Sequence, residues 1–230
     1  MCGRFVQHAD PEIYASRYDI DDIADLGDAR PRYNVAPTQP ILAIRTTDSG
    51  GRQLAPLRWG LVPHWSKGPD NRFSMINARA ESVHEKPAYR SAFRKRRCLI
   101  PAEGFYEWRS IEGSKQPYLI RREDGEPFTM AGLWETWNDK DSGEQIRSCT
   151  IIVTDANDLV GPLHDRMPVI LPPEHQAAWL DPNNADTDQL RSLLTPAETA
   201  GWTTHPVSKA VNNPRNDNAE LLEPVEDPSA

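Results

Sequence analysis

Prolines are the feature that most limits how this chain can fold. There are 21 of them, spread along its 230 residues. Proline has no backbone N–H and a fixed φ, so it ends helices and is tolerated in sheets only at edges and irregularities. The spacing therefore predicts short strands and irregular connections rather than long helices. Alternating or short apolar runs fit that reading: ILAIRT and RQLAPLRW flank an Asp-Ser-Gly-Gly turn and read as a hairpin. CLIPAEGFYEW, PYLIRR, FTMAGLWETW, RSCTIIVT, MPVILP and WTTHPVS are further strand candidates. Asp10-Pro11 carries the N-cap and first-position signals of a helix, PPEHQAAWL and 186–194 read as helices, and a short helix is expected near 87–97. No repeat or linker divides the chain. The expectation is one α+β domain over residues 1–224, with a mainly antiparallel, barrel-like β core and peripheral short helices. Residues 225–230 are expected to form an acidic, disordered tail.

No apolar run approaches the length of a membrane span, and MCGRFVQHAD lacks the features of a secretory signal. A cytoplasmic, nucleoid-associated monomer is expected. The three cysteines, Cys2, Cys98 and Cys149, are odd in number and widely spaced, which is neither a disulfide framework nor a zinc site. No metal or cofactor is expected. Net charge is −8, yet residues 1–100 carry +5 and residues 101–230 carry −13. Nucleic-acid binding needs a local positive surface, not a positive total, so the total does not exclude it.

Cys98 and Cys149 sit in apolar strand segments and read as inert core residues. Cys2 differs by position. A small second residue permits removal of Met1, which leaves a free 1,2-aminothiol. Its amine has a pKa of about 8 and its thiol one of about 8.5, so both are partly nucleophilic at neutral pH. The amine can form a Schiff base with an aldehyde, and the thiol can then close a five-membered thiazolidine ring. The bland alternative is an ordinary second residue.

Eight segments occur in order: Met1-Cys2-Gly3-Arg4, RYNVAPTQ (32–39), WGLVPHW (59–65), NARAES (77–82), RCLIPAEGFYEW (97–108), AGLWE (131–135), HDRMPVIL (164–171) and VNNPRND (211–217). Together they resemble the SRAP family, the SOS response-associated peptidase or abasic-site processing proteins. The resemblance implies a sensor of abasic sites in single-stranded DNA that cross-links to the lesion through a thiazolidine made by the N-terminal Cys and shields it. AP-lyase and auto-peptidase activities are implied beside it. Carried onto matching positions, it implies Cys2, Asn77, Glu107 and His164 as the catalytic set. Glu107 would serve as acid and base, with a pKa raised by Phe105, Tyr106 and Trp108. His164 would open the sugar hemiacetal, and Asn77 would hold the amine or a sugar hydroxyl. Arg4 and Arg79 are candidates for flanking phosphates, as are Arg90, Arg94, Lys95, Arg96 and Arg97. Trp59, Trp65 and Pro40 are candidates for a stacking or wedge surface, whereas Trp134, Trp179 and Trp202 read as core. Two alternatives stand: a cysteine peptidase using Cys2 and His164 that processes its own N-terminus, and a non-covalent single-strand binding module.

Overall fold

The computed structural model of the protein describes residues 2–27, 29–69 and 75–227. In chain order the first half contains β1 (Phe5–Gln7), α1 (Pro11–Arg17), β2 (Asp22–Ile23), β3 (Arg32–Val35), β4 (Pro40–Thr46), β5 (Arg52–Trp59) and β6 (Asn77–Arg79). Then come α2 (Arg90–Lys95), β7 (Arg97–Ala102), β8 (Gly104–Ile111), β9 (Ser114–Arg122) and β10 (Phe128–Asn138). The rest holds β11 (Gln145–Asp155), β12 (Arg166–Pro168), α3 (Pro173–Leu180), α4 (Thr187–Ser192) and β13 (Trp202–Pro206). The longest of these helices has 8 residues, as the proline spacing requires. At α1 the expected cap is present: the Asp10 carboxylate accepts from the Glu12 amide at 2.9 Å, and Pro11 follows it.

Five strands close into a barrel. β5 pairs with β4, β4 with β7, β7 with β10 and β10 with β11, all antiparallel. A short parallel pairing, Ser148 with Arg58 and Cys149 with Trp59, joins β11 back to β5. Closure leaves this ring without a free edge. One residue of the AGLWE segment is fixed by it: a Cβ at Gly132 would lie 2.7 Å from Ile100 Cδ1 and 2.9 Å from Thr150 O, so only glycine lets β7, β10 and β11 approach. A second, wholly antiparallel sheet runs β13-β9-β8-β1-β3.

Side-chain alternation sorts the apolar residues into layers. On β7, Cys98, Ile100 and Ala102 point into a core shared with Phe5 and Phe105 of the second sheet, while Leu99 points outward beneath the helices. All six residues of β7 are buried, and after Arg97 the strand reads as an apolar run. A third cluster lies on the outer face of the second sheet, where Val6, Tyr106 and Leu119 meet Val207, Val211 and Leu221. The C-terminal segment is therefore docked: residues 219–222 form a 3₁₀ turn, the Val225 amide donates to Pro206 O at 3.0 Å, and Tyr118 Oη donates to Asp227 at 3.0 Å. Of the tail expected to be disordered, residues 228–230 lie outside the described residues.

The first and last motifs meet at Asn34, which is fully buried. Its Nδ2 donates to the carbonyls of Val211, Asn213 and Asn216 at 3.1, 3.2 and 2.7 Å, and its Oδ1 accepts from Arg4 Nη1 at 2.8 Å. Asp217 accepts from the amides of Tyr33 and Asn34 and from Arg32 Nε. Buried polar groups left without partners cost about 1–3 kcal/mol each, so Asn34→Ala is expected to lower unfolding stability by about 3 kcal/mol. Urea denaturation checks this; a change under 1 kcal/mol would show that water replaces the amide.

Candidate active site

The N-terminal segment is built into the second sheet. Phe5 pairs with Phe105, and the Tyr106 amide donates to Arg4 O at 3.0 Å, so the ladder with β8 continues past β1 toward the start of the chain. Cys2 is fully buried and packs in the same core as Trp59, Ile151 and Phe105. Burial pushes its thiol well above the ordinary range, and the negative charge of Glu107 pushes it further. Glu107, on β8, is itself only 2% exposed. Desolvation is the main cause that lifts its carboxyl to about 7; Asp165 adds to the rise and Lys115 opposes it. At neutral pH this group is thus divided between its acid and base forms.

His164 ends a turn whose Leu163 packs against the core that contains Cys2. Two groups approach its Nδ1: the Arg166 amide at 2.9 Å and Asp165 Oδ1 at 2.8 Å. A single ring nitrogen cannot accept from the amide and donate to the carboxylate together. The amide is fixed in the backbone, Asp165 is 84% exposed, and burial lowers the histidine's pKa. The neutral ring with its hydrogen on Nε2 is therefore the assigned state. The Arg166 side chain pairs with Glu81 and, at 3.3 Å, with Asp155, which ties the His164 turn to the NARAES segment.

Asn77 opens β6, which lies parallel to β11 with Asn77 opposite Ile151. The residue before it, Ile76, packs on the Cys2 core, and its carbonyl accepts from Trp59 Nε1 at 3.0 Å. Asn77 Nδ2 donates to the same carbonyl, while its Oδ1 is buried and has no hydrogen-bond partner among the described residues. Tyr89 Oη donates to the Asn77 carbonyl at 3.3 Å. Asn77, Arg79, Trp65, Met75, Lys86 and Tyr89 all line one groove of about 490 Å³. Trp65 and Met75 also line a hollow of about 340 Å³ that includes Arg58 and Pro63. Trp65 is 60% exposed.

The structure thus sets Cys2, Glu107 and the Leu163–His164 and Ile76–Asn77 pairs about one core. Other expectations are corrected. Trp59 is fully buried, packed edge-on against Phe5 at 5.1 Å, and presents no face to a base. Its role is to support β6. Arg4 Nη1 donates to Asn34 Oδ1 and Val211 O, both at 2.8 Å, so its guanidinium belongs to the framework that anchors the N-terminus. Arg97 is buried and donates to the carbonyls of Trp179, Phe93, Arg94, Asp181 and Asn184, which removes it from any phosphate track. Arg96 pairs with Glu135. Arg90 and Arg94 are exposed on α2, and Arg79 is exposed on β6. Pro40 is exposed but lines a separate groove of about 350 Å³ with Arg30, Arg32 and Pro56. Lys86 and Tyr89 were not foreseen: a single Lys and a single Tyr between motifs carry no pattern.

The family model described as "SOS response associated peptidase (SRAP)" matches residues 1–214. The abasic site processing protein YoaM of Bacillus subtilis is 43% identical over 224 residues, spanning 97% of this chain and 98% of that protein. The abasic site processing protein YedK of Escherichia coli is 33% identical over 98% of this chain and 100% of its own length. Among solved structures, a protein from Bacteroides thetaiotaomicron superposes with a TM-score of 0.87 at 28% identity, covering 98% of this chain and all of that one. By sequence over nearly its whole length and by fold, the chain belongs to the SRAP family.

Proposed function

We propose that this protein processes abasic sites, and that it does so in single-stranded DNA by forming a covalent thiazolidine between Cys2, freed of Met1, and the sugar aldehyde. The names of the relatives support the target. The observation that carries the chemistry is a carboxyl, Glu107, only 2% exposed on β8, whose charge acts on the fully buried Cys2 thiol.

The steps follow from the groups. His164, with Nε2–H as donor, assists opening of the closed sugar to its aldehyde. The Cys2 amine adds to the carbonyl carbon, giving a carbinolamine. Glu107 in its acid form protonates the hydroxyl, which leaves as water, and a C=N bond remains. The thiol is poorly ionised because it is buried, so it needs a base. Glu107, now a carboxylate, takes the thiol proton as sulfur bonds to the imine carbon, and the nitrogen is left as an amine. One water is released and no electrons are exchanged. The same imine, before sulfur closes on it, can lose the 3′ phosphate by β-elimination, so strand nicking is a side outcome of one chemistry. The Asn77 Oδ1 would accept from the amine or a sugar hydroxyl, and Arg79 with Lys86 would hold neighbouring phosphates. Trp65 would stack on an adjacent base. Arg90 and Arg94 extend the positive surface.

A cysteine-peptidase reading fits less well. An acyl-transfer thiol needs its pKa lowered by a nearby imidazolium. Here burial raises the thiol and lowers His164.

Mixing the protein with an abasic single-stranded oligonucleotide is expected to give a band that survives denaturing electrophoresis and high salt. Intact mass should show protein lacking Met1 plus the oligonucleotide less one water. A complex that salt fully reverses would identify a non-covalent binder instead.

A further inference from the structure

Glu135, in the AGLWE segment on β10, has no part in the chemistry above, yet it is a carboxylate buried to 5% exposure. Its Oε2 accepts from Arg96 Nη2 at 2.8 Å and lies 3.1 Å from His64 Nδ1, and its Oε1 accepts from the Thr136 amide at 3.1 Å. Arg96 also donates to Ser91 Oγ of α2 at 2.9 Å. His64 immediately precedes Trp65 in a loop that has two further ties to the same strand pair. The Trp137 indole donates to Ser66 O at 2.9 Å, and the Val62 amide donates to Ser148 Oγ at 2.8 Å. A buried carboxylate with one partner removed is costly. Here its two side-chain partners come from the basic helix segment and from the aromatic loop.

We propose that Glu135 is a positioning residue that holds the Trp65 loop and the Arg96 end of α2 in register with the groove. It acts before DNA arrives. An indole 60% exposed would otherwise sample several placements, and ordering it on binding would weaken affinity. The carboxylate fixes it during folding. The inference rests on the proposed reading of the groove as the DNA site, and it assigns the alignment of that groove to a residue that touches no nucleotide.

The test compares wild type, Glu135→Gln and His64→Ala for adduct formation on an abasic single-stranded oligonucleotide, and for reaction with glyceraldehyde, an aldehyde with no nucleotide attached. His64 is more than half exposed, so its variant keeps the fold if the buried one fails to. The half-saturating oligonucleotide concentration is expected to rise about tenfold in both variants, as for loss of a hydrogen bond to a charged group, with the maximal rate unchanged. The glyceraldehyde rate should not move. Trp65→Ala should raise half-saturation similarly, and adding His64→Ala to it should add little. Unchanged half-saturation, a parallel loss with glyceraldehyde, or full additivity with Trp65→Ala would each overturn the proposal. Absence of any adduct in the wild type would instead overturn the proposed function.

Discussion

Cys2→Ala protein is expected to give no adduct with an abasic oligonucleotide, a loss of at least about a thousandfold, because ring closure by a thiol on the adjacent carbon is intramolecular. Cys2→Ser separates the two nucleophiles. Like Cys2→Ala it keeps the α-amine, so both should still form an imine that borohydride reduces and traps, but no linkage that survives without the trap. Protein that retains Met1 should behave like Cys2→Ala, because its amine is no longer beside the thiol. Each variant should fold: the change at Cys2 removes one buried sulfur from a large core. Wild-type yield from Cys2→Ala would sink the thiazolidine reading outright, since Cys98 and Cys149 are buried and neither carries a free amine beside it.

Glu107→Gln is expected to slow adduct formation at pH 7 by about a hundredfold or more, the usual contribution of a placed acid–base group. The wild-type pH–rate profile should bend near 7, and the variant should lose that bend. Stability gives an independent reading of the same group. Its folded pKa is raised from 4.5 to about 7. Below about 4.5 the carboxyl is protonated in both states. As pH rises toward 7 the unfolded chain ionises more readily, so this group's contribution to stability is lost through that window. The full loss is on the order of 3 kcal/mol. Glutamine cannot titrate, so Glu107→Gln should gain on the wild type as pH rises from 4.5 to about 7 in urea melts. Parallel curves for the two proteins would show that the carboxyl is not desolvated.

Much of this was legible in the sequence, and the failures have physical reasons. The β4–β5 hairpin, the cap of α1 and the absence of long helices follow from turn residues, Asp10-Pro11 and proline spacing, which are local signals. The docking of residues 211–227 was not legible. It depends on Asn34 and Asp217, 183 residues apart, and polar residues in an acidic stretch look like solvated tail until their partners are known. Trp59 and Trp65 share one motif and looked equivalent. Trp59 lies on a barrel strand pointing inward, and Trp65 lies on the loop beyond Pro63, so period and position in the closed ring decided between them. Arg4 and Arg97 illustrate the same limit: a guanidinium that satisfies backbone carbonyls cannot be told by spacing from one that awaits a phosphate. Glu107 was found through its motif, but its desolvation is a property of the packed sheets alone.

The clasp at Asn34 also sets an order of events during synthesis. Arg4, two residues from Cys2, is held by the carbonyl of Val211. A ribosome makes those positions at opposite ends of its task. The amino-terminal segment therefore waits without these partners through most of translation. Its burial is completed only when the last motif emerges. The setting of the first strand is thus a late product of the whole chain.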